Sequence, residues 1–469
     1  MDAFSQRRTF ERAKRLSLSL LACPGRRTVS NLLCTGGRQF LDWSADYRLF
    51  SQDAWEAQRL FGPVLRGVLE VLPATAPFVS ALDDTHLKKT GTHIPGVAWR
   101  RDPLSPPFHT NLIRAQRFIQ LSALCFSKDE AGAARAIPIR YQHAPSVPKP
   151  KPSDAPEVWK AYRAQIRKKN LSTQAVALLK NTRTELDERA GDRSFVVATD
   201  GSYTNKTVIR GLPSRTTLIG RIRKDAELFF PPRPEDQPAV GSKRLYGRPA
   251  PTPEALRKDP EVPWQEIEAF GAGQTHTFRV KTLGPVLWKM AGHRRLLRLV
   301  VIAPVGYRLR KGGKLLYRKP AYLICTDPNL PVKKIVQYYL WRWDIEVNHR
   351  DEKQLIGVGQ AQVRSEKSVD RMPAFAVASY AMLLLASIRA SGTEADEGTL
   401  PPPKWYAHPS KQRLSTNDLI QQLRKEVWAG TLNQRKMNYE PFATRPTAST
   451  KSLEFPWSPV SALLYPKTG

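Results

Sequence analysis

Four residues with chemically active side chains are spaced so that one face of a helix would carry all of them: Tyr339, Arg342, Glu346 and Lys353. At about 100° per residue they fall within a stripe about 60° wide. That face would present one carboxylate together with two cations and a phenol. The alternative is a solvated helix face with an i,i+4 Arg–Glu pair, worth a few tenths of a kcal/mol.

A second stripe on the same segment is apolar and predicts how the helix docks on a core. Its members are Val336, Leu340, Trp343 and Val347.

Two upstream segments end a short apolar run with carboxylates. Phe78-Val-Ser-Ala-Leu precedes Asp83 and Asp84, and Phe195-Val-Val-Ala-Thr precedes Asp200. Such runs indicate buried strands that deliver an acid to their tips. For either segment alone, a strand-ending turn or a helix cap is the competing interpretation.

The ordered combination of these segments resembles DDE transposases, specifically the bacterial cut-and-paste group that forms DNA hairpin intermediates. The helix residues match that group's Tyr-x2-Arg-x3-Glu-x6-Lys signature. In the first strand of the family, the aspartate before a threonine is the metal ligand, which favours Asp84 over Asp83 because Thr85 follows it. The resemblance implies an α/β fold with a ribonuclease-H-like catalytic domain, interrupted by an all-β insertion domain. A helical N-terminal DNA-binding domain and a basic C-terminal tail would complete the chain.

The resemblance also assigns roles. Asp84, Asp200 and Glu346 would be the catalytic acids and the ligands of two Mg²⁺ ions, with Mn²⁺ able to substitute. In-line displacement at phosphorus uses two such ions to clamp the attacking and leaving oxygens, and Mg²⁺ favours oxygen ligands. The cysteines and histidines form no zinc-like spacing that competes for this role.

The remaining assigned residues would contact DNA. The phosphates of the transposon end would be held by Tyr339, Arg342 and Lys353. Lysine suits this role as a point charge and arginine as a bidentate fork. Tyr322 occupies the position where the family carries a tryptophan that stacks on an extruded base. The competing interpretation is that Tyr322 is a core residue of its strand.

Composition points to a polyanionic partner. The 469 residues carry a formal net charge of +32, with a pI near 10.2. With 41% hydrophobic residues, the chain can also bury proper cores. Such a charge implies a polyanionic partner, and the resemblance implies that this partner is double-stranded DNA, namely transposon ends and target DNA. No stretch approaches 18 consecutive apolar residues, so we expect no membrane partner and a cytoplasmic, nucleoid-associated location.

Segment composition predicts five regions. They are a helical DNA-binding domain (1–74), the first catalytic part (75–223), a β-rich insertion (224–328), the second catalytic part (329–391) and a basic region for DNA binding or dimerisation (392–469). Strands are expected at 92–99, 111–123 and 296–302, a proline-rich connection at 137–156, and a hairpin around the turn 311–314.

These features predict a metal-dependent transposase that excises an insertion sequence through a hairpin intermediate and inserts it by strand transfer. We expect it to act as a homodimer on paired ends. The rival hypothesis is a transposase-derived DNA-binding protein without catalysis, which has no reason to keep three acids with Arg342 and Lys353. A general architectural DNA-binding protein would not need acids on strand tips.

Overall fold

The structure is a computed structural model that describes residues 3–52, 54–91, 93–106, 108–127, 130–310, 312–392 and 414–434. The polypeptide forms two compact units. The first comprises residues 1–64, 87–115 and 349–469, and the second comprises residues 65–86 and 116–348.

The described residues form α-helices and β-strands that we number in chain order. The helices are α1 Arg7–Ala22, α2 Val29–Thr35, α3 Ser44–Ser51, α4 Phe61–Val71, α5 Pro156–Lys169, α6 Leu171–Ala190, α7 Lys206–Gly211, α8 Pro253–Lys258, α9 Val332–Trp341, α10 Trp343–Gln354, α11 Glu366–Ser391 and α12 Thr416–Gln434. The strands are β1 Phe78–Lys88, β2 Ala98–Arg101, β3 Leu112–Cys125, β4 Arg135–His143, β5 Phe195–Thr199, β6 Thr216–Arg221, β7 Gln265–Gly271, β8 Gln274–Val286, β9 Leu297–Ile302, β10 Gly306–Arg308, β11 Leu315–Tyr317 and β12 Ala321–Cys325.

The second unit is built on a large mixed sheet. Its strands follow the order β3-β1-β5-β6-β12-β9-β8-β7, and β4 pairs with β3. Strands β1, β5 and β6 are mutually parallel, whereas β12, β9, β8 and β7 are joined by antiparallel pairings. This mixed α/β arrangement with a large central sheet is consistent with the expected ribonuclease-H-like catalytic domain.

Parallel strands in the centre of this sheet are apolar because both of their faces are covered. Every residue of β5 is buried, and so are the first five residues of β1. The aromatic rings of Phe78 and Phe195 pack edge to face across these two strands, with centroids 5.8 Å apart.

The predicted β-rich segment 224–328 contributes strands β7 to β12, and four of them extend the main sheet beyond β6. The expectation of an all-β segment was wrong in one respect, because it also contains helix α8. Thr252 caps that helix by accepting a hydrogen bond from the Ala255 backbone N–H, and Pro253 occupies its first turn; both residues favour helix initiation.

Two sequence predictions about strands need correction. Strand β2 begins only at Ala98, because Pro95 and Gly96 precede it and break extended pairing. Residues of the expected proline-rich connection form β4, which pairs with β3 across a register shift between Leu121 and Ser122. Pro138 lies opposite Ser122 at that irregularity, where a missing N–H is tolerated.

The first unit is mainly helical, and α11 is its central element. Phe375 packs edge to face on Phe50 with centroids 5.3 Å apart, and the Ser17 hydroxyl donates to Ser379 at 2.8 Å. By length and composition alone α11 is long and apolar enough to cross a membrane, but 78% of its most apolar window is buried inside the protein. That burial is the behaviour of a core helix.

The C-terminal region 392–469 is described only at residues 392 and 414–434. Within it lies helix α12. The basic residues Lys404, Lys411, Arg413, Arg435 and Lys436 lie outside the described residues.

Candidate active site

Asp83 and Asp200 lie side by side where β5 ends. The parallel pairing of β1 with β5 runs from Phe78↔Phe195 to Leu82↔Thr199, so the two aspartates occupy the next position of the same register. Side chains at matching positions of neighbouring strands point to the same face of a sheet. The register therefore places the two carboxylates together.

The electrostatics of Asp83 agree with this placement. Burial and the nearby carboxylate of Asp200 raise the pKa of Asp83 to about 7. Two stabilising partners do not offset this rise: the Asp84 backbone N–H donates to Asp83 Oδ1 at 2.8 Å, and Arg342 Nη1 lies 3.9 Å from Asp83 Oδ2. Two acids held this close in a partly buried site repel each other when both are ionised.

Asp84 has different surroundings, because successive side chains of a strand point to opposite faces. The Tyr203 hydroxyl donates to Asp84 Oδ1 at 3.0 Å, and Arg117 Nε lies 3.4 Å from Asp84 Oδ2. Arg117 Nε also donates to His86 Nε2 at 3.0 Å. The register therefore places Asp83 at the position that faces Asp200, and the resemblance-based assignment of Asp84 as the first metal ligand stays a prediction.

Local hydrogen bonds fix the loop that carries Asp200. Ser202 donates its backbone N–H to Asp200 Oδ1 at 2.9 Å and its hydroxyl to Oδ2 at 3.1 Å. Thr204 Oγ1 donates to the Asp200 carbonyl oxygen at 2.7 Å. A Cβ on Gly220 of the adjacent β6 would come 1.9 Å from Thr204 Oγ1, so the loop approaches that strand as closely as a glycine permits.

The signature residues are divided between two helices, whereas the sequence predicted one continuous helix. α9 ends at Trp341 and α10 begins at Trp343, with Arg342 as the junction. Arg342 Nη2 donates to Glu346 Oε1 at 2.8 Å, and its guanidinium lies over the Tyr339 ring at 5.5 Å. Since Arg342 also approaches Asp83, it links Glu346 to the aspartate pair.

The predicted docking stripe of this segment was partly wrong. Trp343 is 61% exposed, whereas Tyr338, Trp341 and Ile345 are buried. The Trp341 ring stacks on Phe126 with centroids 4.9 Å apart. The face of this segment that packs on the core therefore differs from the predicted face. The large aromatic side chains of Tyr338 and Trp341 occupy the core in place of Trp343.

Lys353, the fourth signature residue, lies near the C-terminal end of α10 and belongs to the first unit, whereas Tyr339, Arg342 and Glu346 belong to the second. Its assignment to phosphate binding stays a prediction.

The donor set of Asp83 and Asp200 fits a hard divalent cation. Mg²⁺ is commonly bound by one or two carboxylates, with water and substrate phosphate completing its shell. Among the described residues, no three His, Cys, Asp or Glu side chains lie close enough to form a metal cluster. Glu346 pairs with Arg342 and is 35% exposed, and its place beside the two aspartates as a third metal ligand stays a prediction.

Tyr322 does not present its ring for stacking. It is 7% exposed and belongs to a core cluster with Leu256, Leu299 and Val301. Its hydroxyl donates to Glu254, and the Arg257 guanidinium and Tyr322 hydroxyl hold the pKa of Glu254 at about 2. This burial favours the competing interpretation of a core residue, and the base-stacking assignment stays a prediction.

A cavity of about 470 Å³ adjoins the Asp200 loop. Its lining includes Gly201, Lys206, Arg221, Arg223 and Trp288. Three cations beside the acid pair make this a suitable path for an anionic backbone. The cations Lys206, Arg221 and Arg223 could not be predicted as part of the site, because nothing in a single sequence shows that β6 runs next to β5.

Comparison with known proteins gives one family. The family model described as DDE superfamily endonuclease matches residues 1–295. The matched region contains Asp83, Asp84 and Asp200 and ends before Arg342 and Glu346. No curated protein matches the chain.

Proposed function

The chain belongs to the DDE superfamily endonucleases, and from this premise we propose that it is a transposase that cleaves and joins DNA at Asp83, Asp200 and Glu346. The observation that carries the proposal is the placement of Asp83 beside Asp200, with Arg342 linking the pair to Glu346. The family is one of divalent-metal-dependent nucleases that act on DNA, and the acid pair fits such an ion.

Each residue has a definable task in this reaction. Asp83 and Asp200 would hold the divalent cation, which when bound polarises the phosphodiester and stabilises the charge of an in-line displacement. Arg342 would orient Glu346 and offer its remaining N–H groups to a phosphate, for which its planar fork is suited. Asp84, held by Tyr203 and Arg117, would fix the position of β1.

The finer steps follow from the family resemblance. We propose that the enzyme binds the ends of an insertion sequence and cuts one strand, and that the freed 3′-hydroxyl attacks the opposite strand to close a hairpin on the element end. Hydrolysis of the hairpin would free that 3′-hydroxyl again for transfer of the element into target DNA. Joining two ends requires two active sites, so the active complex would contain two chains. Mg²⁺ would be the physiological ion, with Mn²⁺ as a substitute.

A DNA-binding protein without catalysis is the second candidate. It is disfavoured by Asp83, because a buried acid next to another acid destabilises the folded state when ionised. A protein that only binds DNA gains nothing from that arrangement.

The test combines purified protein, Mg²⁺ and DNA that carries the sequences flanking the coding region of this chain. The proposal predicts strand cleavage at the element ends and hairpin-ended products, which run at doubled length on denaturing gels. A protein that binds this DNA but cuts neither strand with Mg²⁺ or Mn²⁺ would support the non-catalytic candidate instead. Cleavage without hairpin-ended products would support the nuclease function but show that the reaction does not pass through a hairpin.

A further inference from the structure

Strands β10 and β11 form a two-stranded sheet of their own, distinct from the main sheet. They pair antiparallel from Gly306↔Tyr317 to Arg308↔Leu315. Residues 306–317 are here called the ribbon. The hairpin form predicted from the sequence is confirmed.

The ribbon presents charge and apolar surface together. Residues 304–320 contain six cations and no Asp or Glu: Arg308, Arg310, Lys311, Lys314, Arg318 and Lys319. Leu309 is 79% exposed and Tyr317 is 65% exposed. The Arg318 guanidinium lies over the Tyr307 ring at 5.5 Å. An isolated two-stranded hairpin is marginally stable in water, so a hairpin this exposed indicates a surface that is completed by a partner.

The pairing registers place the ribbon at the same end of the sheet as the acids. Thr199 pairs with Gly220, Gly220 with Ile324, and Ile324 with Leu299. The ribbon connects Ile302 at the end of β9 to Ala321 at the start of β12, and those two residues are themselves paired. It therefore emerges just beyond the level of Asp200. The base of the ribbon is two to three strands away from β5, about 10–14 Å at the spacing of neighbouring strands.

We propose that the ribbon is a groove-binding element that grips duplex DNA beside the active site. This inference rests on the proposed function only in taking DNA as the substrate. A two-stranded ribbon fits the major groove, and Arg310 and Lys314 at its turn, with Arg318 directly after β11, would contact phosphates. Exposed Leu309 lies close to the turn and would contact base edges or the groove wall.

A second copy of the chain is the other occupant to consider for this surface. It is disfavoured because two copies of residues 304–320 would bring twelve like charges together, which destabilises edge-to-edge pairing. A polyanion is complementary to every charged side chain of the ribbon.

Duplex binding by the full-length chain, in EDTA so that no strand is cut, tests the proposal. We expect Arg310→Ala/Lys314→Ala to weaken binding about tenfold at moderate salt. The slope of log affinity against log salt should become less negative by about 1.8, since each lost phosphate contact accounts for about 0.9. The matched control is Lys180→Ala/Arg189→Ala, which removes two exposed cations from α6 and should leave that slope unchanged. A parental slope in the ribbon variant, or an equal effect in the control, would overturn the proposal.

A photo-crosslinking amino acid at Leu309 identifies the occupant directly. The ribbon proposal predicts crosslinks to DNA, whereas crosslinks only between protein chains would replace it with a dimer contact. Neither experiment requires catalysis. If the chain crosslinks to DNA but never cuts it, the proposed nuclease function is wrong and the DNA-binding role of the ribbon stands. If the chain cuts DNA but shows neither the change in salt dependence nor the crosslink, the nuclease function stands and the role of the ribbon is wrong.

Discussion

At the scale of single residues, two adjacent aspartates of β1 have different neighbours: Asp83 faces another acid, and Asp84 lies beside a phenol and a cation. Asp83 shares its side of the sheet with Asp200 and has its pKa raised to about 7. Asp84 accepts a hydrogen bond from Tyr203 and lies beside Arg117. The sequence predicted an acid at this point of the strand, but the choice between the two depends on the register of β1 against β5, which a single sequence does not contain.

The raised pKa of Asp83 predicts a stability change. A carboxyl whose folded pKa exceeds its unfolded value keeps its proton longer when folded, so the penalty of ionisation develops between about pH 4 and pH 7. In chelator at pH 8, Asp83→Asn should therefore raise the free energy of unfolding by about 1–2 kcal/mol. Thermal or urea unfolding should show this gain shrinking as the pH falls to 4. The matched variant Asp84→Asn should give no such gain, and an equal gain in both would contradict the assignment.

Tyr322 gives a second residue-scale prediction. As a core residue with a bonded hydroxyl, Tyr322→Phe should cost about 1 kcal/mol of stability and keep DNA cleavage. Tyr322→Ala should cost about 3–5 kcal/mol because it leaves a cavity. Calorimetry and a cleavage assay on the same samples would check both values. An unchanged melting temperature in Tyr322→Ala, combined with a specific loss of hairpin products, would restore the base-stacking role.

At the scale of elements, the site depends on how closely the loop after β5 approaches β6. Gly220→Ala should displace Thr204, and with it the carbonyl of Asp200, because the new Cβ would overlap Thr204 Oγ1. We expect a loss of about 1–3 kcal/mol in stability and slower cleavage. Gly201→Ala is the control beside the same aspartate, since its Cβ would meet only Arg221 O at 3.9 Å. Equal cleavage rates in the two variants would show that this approach does not position Asp200.

Element-level prediction from the sequence succeeded where local patterning decides the structure. The apolar runs before Asp83 and Asp200 lie in β1 and β5, and the turn-flanked segments form the ribbon. The expected strand tip was wrong for the first acid, because β1 continues past Asp83 to Lys88. Prediction failed where packing decides. The expected single helix is divided at Arg342. The aromatic contacts of Trp341 determine which face of this segment packs on the core. The prolines of residues 137–156 predicted an irregular connection, yet a register shift in the pairing of β3 with β4 accommodates Pro138.

At the scale of the whole molecule, a net charge of +32 supplies affinity for DNA but does not select a point of cleavage. In the proposed function the acid pair, which is partly buried in a strongly basic chain, would set the point of cleavage. The segments that carry the acids are separated by more than a hundred residues, and the sheet brings them into register. Substitutions among surface cations should therefore change affinity across all DNA sequences, whereas substitutions at the acids should change the rate of cleavage.

The most direct measurement of the central claim compares single-turnover cleavage of end-bearing DNA by Asp83→Asn, Asp84→Asn and the parent chain in Mg²⁺, with DNA binding measured in parallel. Asp83→Asn should slow cleavage by about 10³-fold or more, since losing a metal ligand removes several kcal/mol of transition-state stabilisation, while DNA affinity stays near the parental value. Asp84→Asn should retain cleavage within about tenfold. Full activity in Asp83→Asn, with activity abolished in Asp84→Asn, would contradict the account and return the first metal ligand to Asp84.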